Sequence, residues 1–249
     1  MPASIHFLGV GDATSSEASN TSLLYVGRQK LLVDCGPTVP KSLFYVLGDP
    51  EALDAIWITH QHADHCFGLP TLLLRLRLSR RRKPLELLGG PGAMQFVRAV
   101  LQLGYPGSFG PEKCFPIRFT EVDPDSEIER SGLRLATARM QHRVTCHAIR
   151  IDDATHRVCV SGDGKPTAAT LRLYREASLV IHECEWDTRV TDDHSNVAEL
   201  RPLFGEANVE RLAIVHCNDT EREQIRARVA SELGERAWLP NAGEVVTLA

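Results

Sequence analysis

The chain reads His60-Gln61-His62-Ala63-Asp64-His65 directly after the apolar run at residues 55–59. Apolar runs of this length are typical of buried strands, and side chains two residues apart in an extended segment point the same way. His60 and His62 therefore share one side, while Asp64 and His65 follow as the chain turns. Imidazole nitrogen and carboxylate oxygen are ligands that zinc, manganese and iron accept. A loop rich in histidine by chance is the alternative, but burying four such groups without a ligand is costly.

Three further candidates follow predicted strands later in the chain. They are His142, Asp163 and His216, and each comes where an apolar run ends. A single histidine at a strand end is more often a structural residue. Active sites of layered α/β proteins collect at such ends, however, so the repeated placement favours one shared site.

The composition limits the classes of protein to consider. The 249 residues include 28 Lys plus Arg against 32 Asp plus Glu, and 43% of them are hydrophobic. No apolar run approaches the roughly 20 residues that span a bilayer, and the start lacks the basic residues of a signal peptide. Seven scattered cysteines form no C-x-x-C pair, which argues against a disulfide framework or a cysteine zinc cluster. We expect a cytoplasmic globular protein without a membrane partner, not a disordered or nucleic-acid-coating one.

The hydrophobic pattern predicts alternating strands and helices at both ends of the chain and a run of strands between them. Neither a linker of low complexity nor an internal repeat divides the sequence, so we expect one mixed α/β domain over residues 1–249. The predicted strands are 4–10, 22–26, 30–34, 55–59, 85–88, 133–140, 147–151, 157–161, 179–182 and 212–216. The predicted helices are 39–47, a segment starting near Leu69, 93–103, 197–204 and 221–233.

With these residues in this order, the sequence resembles the metallo-β-lactamase superfamily of metal-dependent hydrolases. The hexapeptide is followed by Gly68-Leu69-Pro70, and Leu32-Val33-Asp34-Cys35-Gly36 lies near the start. The chain is most similar to the ribonuclease Z and phosphodiesterase branch, through Ser161-Gly162-Asp163, Ile181-His182-Glu183 and His194-Ser195. The fold implied is a four-layer αββα sandwich.

The resemblance also implies roles for individual residues. His60, His62 and His142 would hold one divalent cation, Asp64, His65 and His216 a second, and Asp163 would bridge them. Zinc is the cation expected, with manganese and iron as alternatives. A hydroxide between the two cations would attack the ester, and Asp64 would orient it or take its proton.

His194 matches the family's proton donor to the leaving group. Glu183 or Asp193 would orient it by hydrogen bonding. Its alternative role is purely structural, as the residue before a helix capped by Ser195 or Asn196.

Two features of the sequence depart from ribonuclease Z and bear on the substrate. Its tRNA-gripping arm lies between the positions of His142 and Asp163, where this chain has only 20 residues, enough for a hairpin. Its His-Glu-Ala-Thr stretch reads His182-Glu183-Cys184-Glu185 here. We therefore expect a phosphodiesterase for a small phosphate ester or a nucleotide, and a homodimer. The alternatives are a tRNA 3′-end endonuclease, a hydrolase of another ester or thioester, and a metal-stabilised ligand-binding protein with little turnover.

Overall fold

Two seven-stranded β-sheets pack face to face in the computed structural model, with helices against both outer faces. The structure describes residues 2–16, 18–124, 126–130 and 132–248. Met1 and Ala249, the ends of the predicted domain, lie outside these residues. The layers follow the order helix, sheet, sheet, helix, which is the predicted four-layer αββα sandwich.

The first sheet contains the N-terminal strands and the last strand of the chain. Its order is β14-β1-β2-β3-β4-β5-β6, antiparallel as far as β3 and parallel from β3 to β6. The strands are β1 (Ser4–Gly9), β2 (Ser22–Val26), β3 (Lys30–Val33), β4 (Ala55–Ile58), β5 (Leu85–Gly89), β6 (Ile117–Glu121) and β14 (Val245–Thr247).

The second sheet has the same layout as the first. From β7 to β10 its neighbours are antiparallel, and from β10 to β13 they are parallel. The strands are β7 (Glu127–Arg130), β8 (Leu133–Arg139), β9 (His147–Asp152), β10 (Arg157–Val160), β11 (Leu179–Glu183), β12 (Leu212–Val215) and β13 (Ala237–Trp238). The two halves therefore share an architecture that the sequence does not show as a repeat.

The helices close the outer faces with apolar side chains. Leu72, Leu73 and Leu76 are fully buried against the first sheet, and Ile225 and Val229 are buried against the second. The helices are α1 (Val39–Leu47), α2 (Ala63–Cys66), α3 (Leu69–Leu78), α4 (Ala93–Gly104), α5 (Ala168–Leu173), α6 (Pro202–Gly205) and α7 (Arg222–Glu232). Among the described residues, no helix has the length and apolar character needed to cross a bilayer.

One predicted helix, residues 197–204, is wrong as a single element. The structure has a 3₁₀-helix at Val197–Leu200 and then the separate short helix α6. Pro202 has no N–H to continue the hydrogen-bond ladder and occupies the first turn of the new helix, where none is needed. Asn196 caps the 3₁₀-helix, since its side chain accepts from Glu199 N while the Glu199 carboxylate accepts from Asn196 N.

Candidate metal centre

The candidate site lies at the carboxyl ends of strands from both sheets. Asp34 follows β3, His60 comes two residues after β4, and Asp163 lies just beyond β10. Glu183 is the last residue of β11, and His216 directly follows β12. Asp34 and His216 have left-handed backbones, with φ of 62° and 57°. Such strained conformations are concentrated where a side chain must be aimed at a functional site.

The helix α2 aims the second half of the hexapeptide at the same place. His62 is extended, with φ −80° and ψ 152°, and the chain then turns into α2, which carries Asp64 and His65. This turn packs closely on the loop after β3. A Cβ atom on Gly36 would overlap the carbonyl oxygen of Asp64, and one on Gly68 would overlap that of Gly36. Glycine at both positions therefore allows the ligand-bearing helix to dock.

The structure brings all seven predicted ligands together in two adjoining groups that share Asp163. Within each group the candidate ligand atoms lie no more than 4.8 Å apart. Asp163 Oδ1 is 3.3 Å from His65 Nε2, and its Oδ2 is 3.5 Å from His60 Nε2 and 3.4 Å from His216 Nε2. The groups are His60, His62, His142 and Asp163, and Asp64, His65, Asp163 and His216.

Hydrogen bonds behind the site orient three of these imidazoles in the same sense. His65 Nδ1 lies 2.7 Å from Asp34 Oδ2, and His142 Nδ1 lies 2.8 Å from the carbonyl oxygen of Asp193. Thr59 Oγ1 donates to Asp34 Oδ2, so it accepts from His60 Nδ1 at 3.0 Å. These acceptors place the ring protons on Nδ1 and leave the Nε2 lone pairs facing the cluster.

The cluster fits a pair of divalent cations. His60 Nε2, His65 Nε2, His142 Nε2 and Asp163 Oδ1 are buried and have no hydrogen-bond partner among the described residues. Buried polar atoms without partners are costly, and cations would supply partners for all of them. Oxygen and nitrogen ligands suit zinc, manganese and iron alike, so the residues define a divalent site without selecting the element.

The cluster strongly perturbs the acidity of its members. Burial disfavours the charge on Asp163, yet the imidazoles of His216, His65 and His60 outweigh it and hold the carboxyl pKa well below its usual range. Burial lowers the pKa of His60. For His65 burial acts in the same direction, but Asp163 and Asp34 outweigh it and raise the pKa. Ligation needs the neutral imidazole, so cation binding is coupled to loss of a proton from His65.

His194 lies beside both groups of ligands. Its ring centroid is 5.0 Å from that of His142 and 5.7 Å from that of His216, on which it stacks nearly parallel. Burial lowers the pKa of His194, but the carboxylates around it outweigh this and raise it. The Asp193 carboxylate, one of the two predicted orienting groups, instead pairs with Arg143 at 3.1 Å.

Sequence reasoning missed two residues of this site. Glu185 Oε2 is 3.1 Å from His194 Nδ1, while the predicted Glu183 approaches the same atom only to 3.7 Å. Asp34 supports two ligands, His65 directly and His60 through Thr59. The signal for Asp34 was its place after an apolar strand, the same signal that pointed to Asp163. The signal for Glu185 was its departure from the family's threonine.

The protein combines an αββα sandwich with these His and Asp side chains at its strand ends. It is a metal-dependent hydrolase of the metallo-β-lactamase superfamily. The metallo-β-lactamase fold protein YhfI from Bacillus subtilis superposes with a TM-score of 0.85 at 20% identity, over 99% of both chains. The model of the family described as Anti-Pycsar protein Apyc1 matches residues 3–237, and the chain belongs to this family.

Curated relatives agree with the predicted branch. A ribonuclease Z of Natronomonas pharaonis is 25% identical over 305 residues, covering 100% of this chain and 98% of the relative. A ribonuclease BN of Escherichia coli O1:K1 / APEC is 31% identical over 272 residues, covering 84% of this chain and 87% of the relative. The predicted resemblance to ribonuclease Z-like proteins is confirmed, and the chain is a hydrolase of ester bonds.

Proposed function

We propose that this protein is a dinuclear phosphodiesterase that hydrolyses a cyclic nucleotide or another small phosphate diester. The observation that carries the proposal is the pair of ligand groups sharing Asp163, with His194 stacked against one ligand and edge-on to another. When bound, two divalent cations acidify a water molecule and neutralise charge on the attacked phosphate.

Asp64 contributes to this chemistry as a ligand and an orienting group. Its carboxylate oxygen lies 3.2 Å from His65 Nε2 and 3.4 Å from His216 Nε2. Burial raises its pKa, but the nearby imidazoles of His216 and His65 outweigh this and hold the pKa far below its usual range. An ionised carboxylate at this place can orient the nucleophile or take its proton.

His194 is suited to donate the proton that an alkoxide leaving group needs. Its side chain is 16% exposed, so the ring is partly open to solvent. The carboxylates beside it raise its pKa in spite of its burial. A proton donor of this kind typically contributes about 10²- to 10⁴-fold to the rate.

Two observations favour a small diester over tRNA. The interval between His142 and Asp163 contains the β9–β10 hairpin, with its strands at His147–Asp152 and Arg157–Val160, and no separate arm. The alignment with the Natronomonas ribonuclease Z occupies 305 positions, more than the 249 residues of this chain, so the relative carries segments that have no counterpart here.

A substrate panel tests this proposal. We expect metal-loaded protein to turn over cyclic mononucleotides or an aryl phosphodiester, and we expect His60→Ala and His194→Ala to lose that activity. His6→Ala is the matched control, because His6 lies on β1 and its side chain bonds only Ser4 among the described residues.

Each alternative has its own signature in the same panel. Faster turnover of a thioester or a lactone would contradict the phosphodiesterase proposal, as would cleavage of precursor tRNA without cleavage of small diesters. Tight binding of a product without multiple turnovers would identify a ligand-binding protein instead.

A further inference from the structure

The carboxylate of Glu183 is already engaged by three backbone N–H groups. Its Oε1 accepts from Gly164 N at 3.1 Å and from Ser195 N at 2.8 Å, and its Oε2 accepts from Glu185 N at 3.1 Å. The residue is 1% exposed. Gly164 follows Asp163 and Ser195 follows His194, so Glu183 braces the segments that carry these side chains.

Glu185 has a different environment. Its side chain is 17% exposed, and its Oε2 lies 3.1 Å from His194 Nδ1, which is 0.6 Å closer than the nearest oxygen of Glu183. Its backbone is tied down on both sides, because Glu185 N donates to Glu183 and Asn218 N donates to the Glu185 carbonyl at 3.1 Å. Asn218 lies two residues beyond His216, so the Glu185 backbone is held by the segment that follows a predicted ligand.

We propose that Glu185 is the positioning residue for His194, and that Glu183 braces the backbone around it. The Glu185 carboxylate pairs with the Nδ1 side of the His194 ring at 3.1 Å, without a hydrogen bond of good geometry in this structure, and so favours the ring orientation that turns Nε2 towards the leaving oxygen of a substrate. The inference rests on the proposed role of His194 as proton donor. It concerns a residue at which this chain differs from the threonine that the family resemblance leads one to expect.

The leaving group of the substrate provides a readout that a merely structural role would not move. An alkoxide must be protonated as it departs, whereas p-nitrophenolate is stable without a proton. With zinc-loaded protein, we expect Glu185→Ala to lower kcat about 10²-fold for a nucleotide diester and less than about 10-fold for a p-nitrophenyl diester. Glu185→Gln keeps an acceptor oxygen of the same reach, so it should recover most of the loss.

A double-mutant cycle separates action through His194 from action elsewhere. We expect Glu185→Ala to cost nothing further when it is combined with His194→Ala. Asp192→Ala is the control for removing an acid from the same loop. Asp192 is exposed, and within the described part of the chain its one hydrogen bond to a side chain is made by its carbonyl oxygen, which accepts from Gln141 Nε2.

Nitrogen NMR of His194 in the zinc-loaded protein tests the contact without any substrate. We expect the ring to carry its proton on Nδ1 in the wild type and to lose this preference in Glu185→Ala, with zinc content unchanged. This readout would survive a failure of the phosphodiesterase proposal, which would instead show as wild-type protein inactive on every diester. Equal loss on both leaving groups, additivity with His194→Ala, or an unchanged His194 ring would each overturn the role of Glu185.

Discussion

Replacing Asp34 by Asn should weaken cation binding although Asp34 is in neither group of candidate ligands. Its Oδ1 accepts from Thr59 N at 2.8 Å, so the asparagine must keep its carbonyl oxygen there. The amide NH₂ then takes the place of Oδ2, which now accepts from Thr59 Oγ1 and lies 2.7 Å from His65 Nδ1. A donor in that place forces Nδ1 to become an acceptor and moves the ring proton to Nε2, the atom that faces the cluster.

The size of the effect follows from the number of ligands involved. His65 loses its lone pair directly, and His60 loses the Thr59 acceptor that orients it. Changing one such supporting group typically costs 10- to 100-fold in metal affinity, which corresponds to about 1.4 to 2.8 kcal/mol. Since Asp34 serves two ligands, we expect the upper part of this range.

A competition titration with a chromophoric chelator measures this change in zinc affinity at pH 7.5. Asp49→Asn is the matched control, because Asp49 is exposed and lies outside the site. Among the described residues, its carboxylate accepts one hydrogen bond, from Glu51 N. If Asp34→Asn folds and binds zinc within twofold of the wild type, the argument from ring-proton placement is wrong.

Three further predictions concern stability. Chelation should lower the melting temperature by several degrees and zinc should restore it, since binding to the folded state alone stabilises it; an unchanged melting curve would contradict the fit of the cluster to cations. The buried Arg81 donates four hydrogen bonds to main-chain carbonyls. Arg81→Lys should therefore lower the free energy of unfolding in urea by about 3 kcal/mol, whereas Arg80→Lys, at an exposed position, should leave it almost unchanged. Tyr25 Oη donates to Asp153 Oδ2 at 2.7 Å across the two sheets, so Tyr25→Phe should cost about 1 kcal/mol. Burial raises the pKa of Asp153, but Tyr25 and nearby backbone amides outweigh it and lower the pKa to about 2. The Tyr25 contribution should therefore be full above about pH 4 and fade as the pH falls towards 2, which unfolding at several pH values would reveal.

Most strands and helices could be predicted from the sequence, because their apolar runs end at turn residues. The strand before the hexapeptide and the helix at Leu69–Leu78 follow from their spacing, because burial of one face requires it. The helix predicted over residues 197–204 fails because an apolar pattern records which side chains are buried, while Pro202 decides where the hydrogen-bond ladder stops. The shared layout of the two sheets has no counterpart in the sequence, since different side chains can satisfy the same strand order.

Part of the candidate site could be predicted from the sequence, and part depends on the fold. His60, His62, Asp64 and His65 are neighbours in the chain, so their association is local and can be read from the sequence alone. His142, Asp163 and His216 could be named as candidates from their strand-end positions, but that they meet is a property of the sandwich, in which the strands of both sheets end at one edge. Their ligation of a cation remains a prediction that metal analysis would test.

The sequence by itself therefore determined a mixed α/β class and the chemical character of the site, because both depend on residue types at short spacing. The αββα order of the layers came from the resemblance to the metallo-β-lactamase superfamily. The tertiary structure decided which groups stand behind that site. It placed Asp34 against His65, turned Asp193 away to Arg143, and brought Glu185 to His194. These contacts depend on differences of a few tenths of an ångström between side chains on separate loops, and no spacing along the chain encodes such a distance.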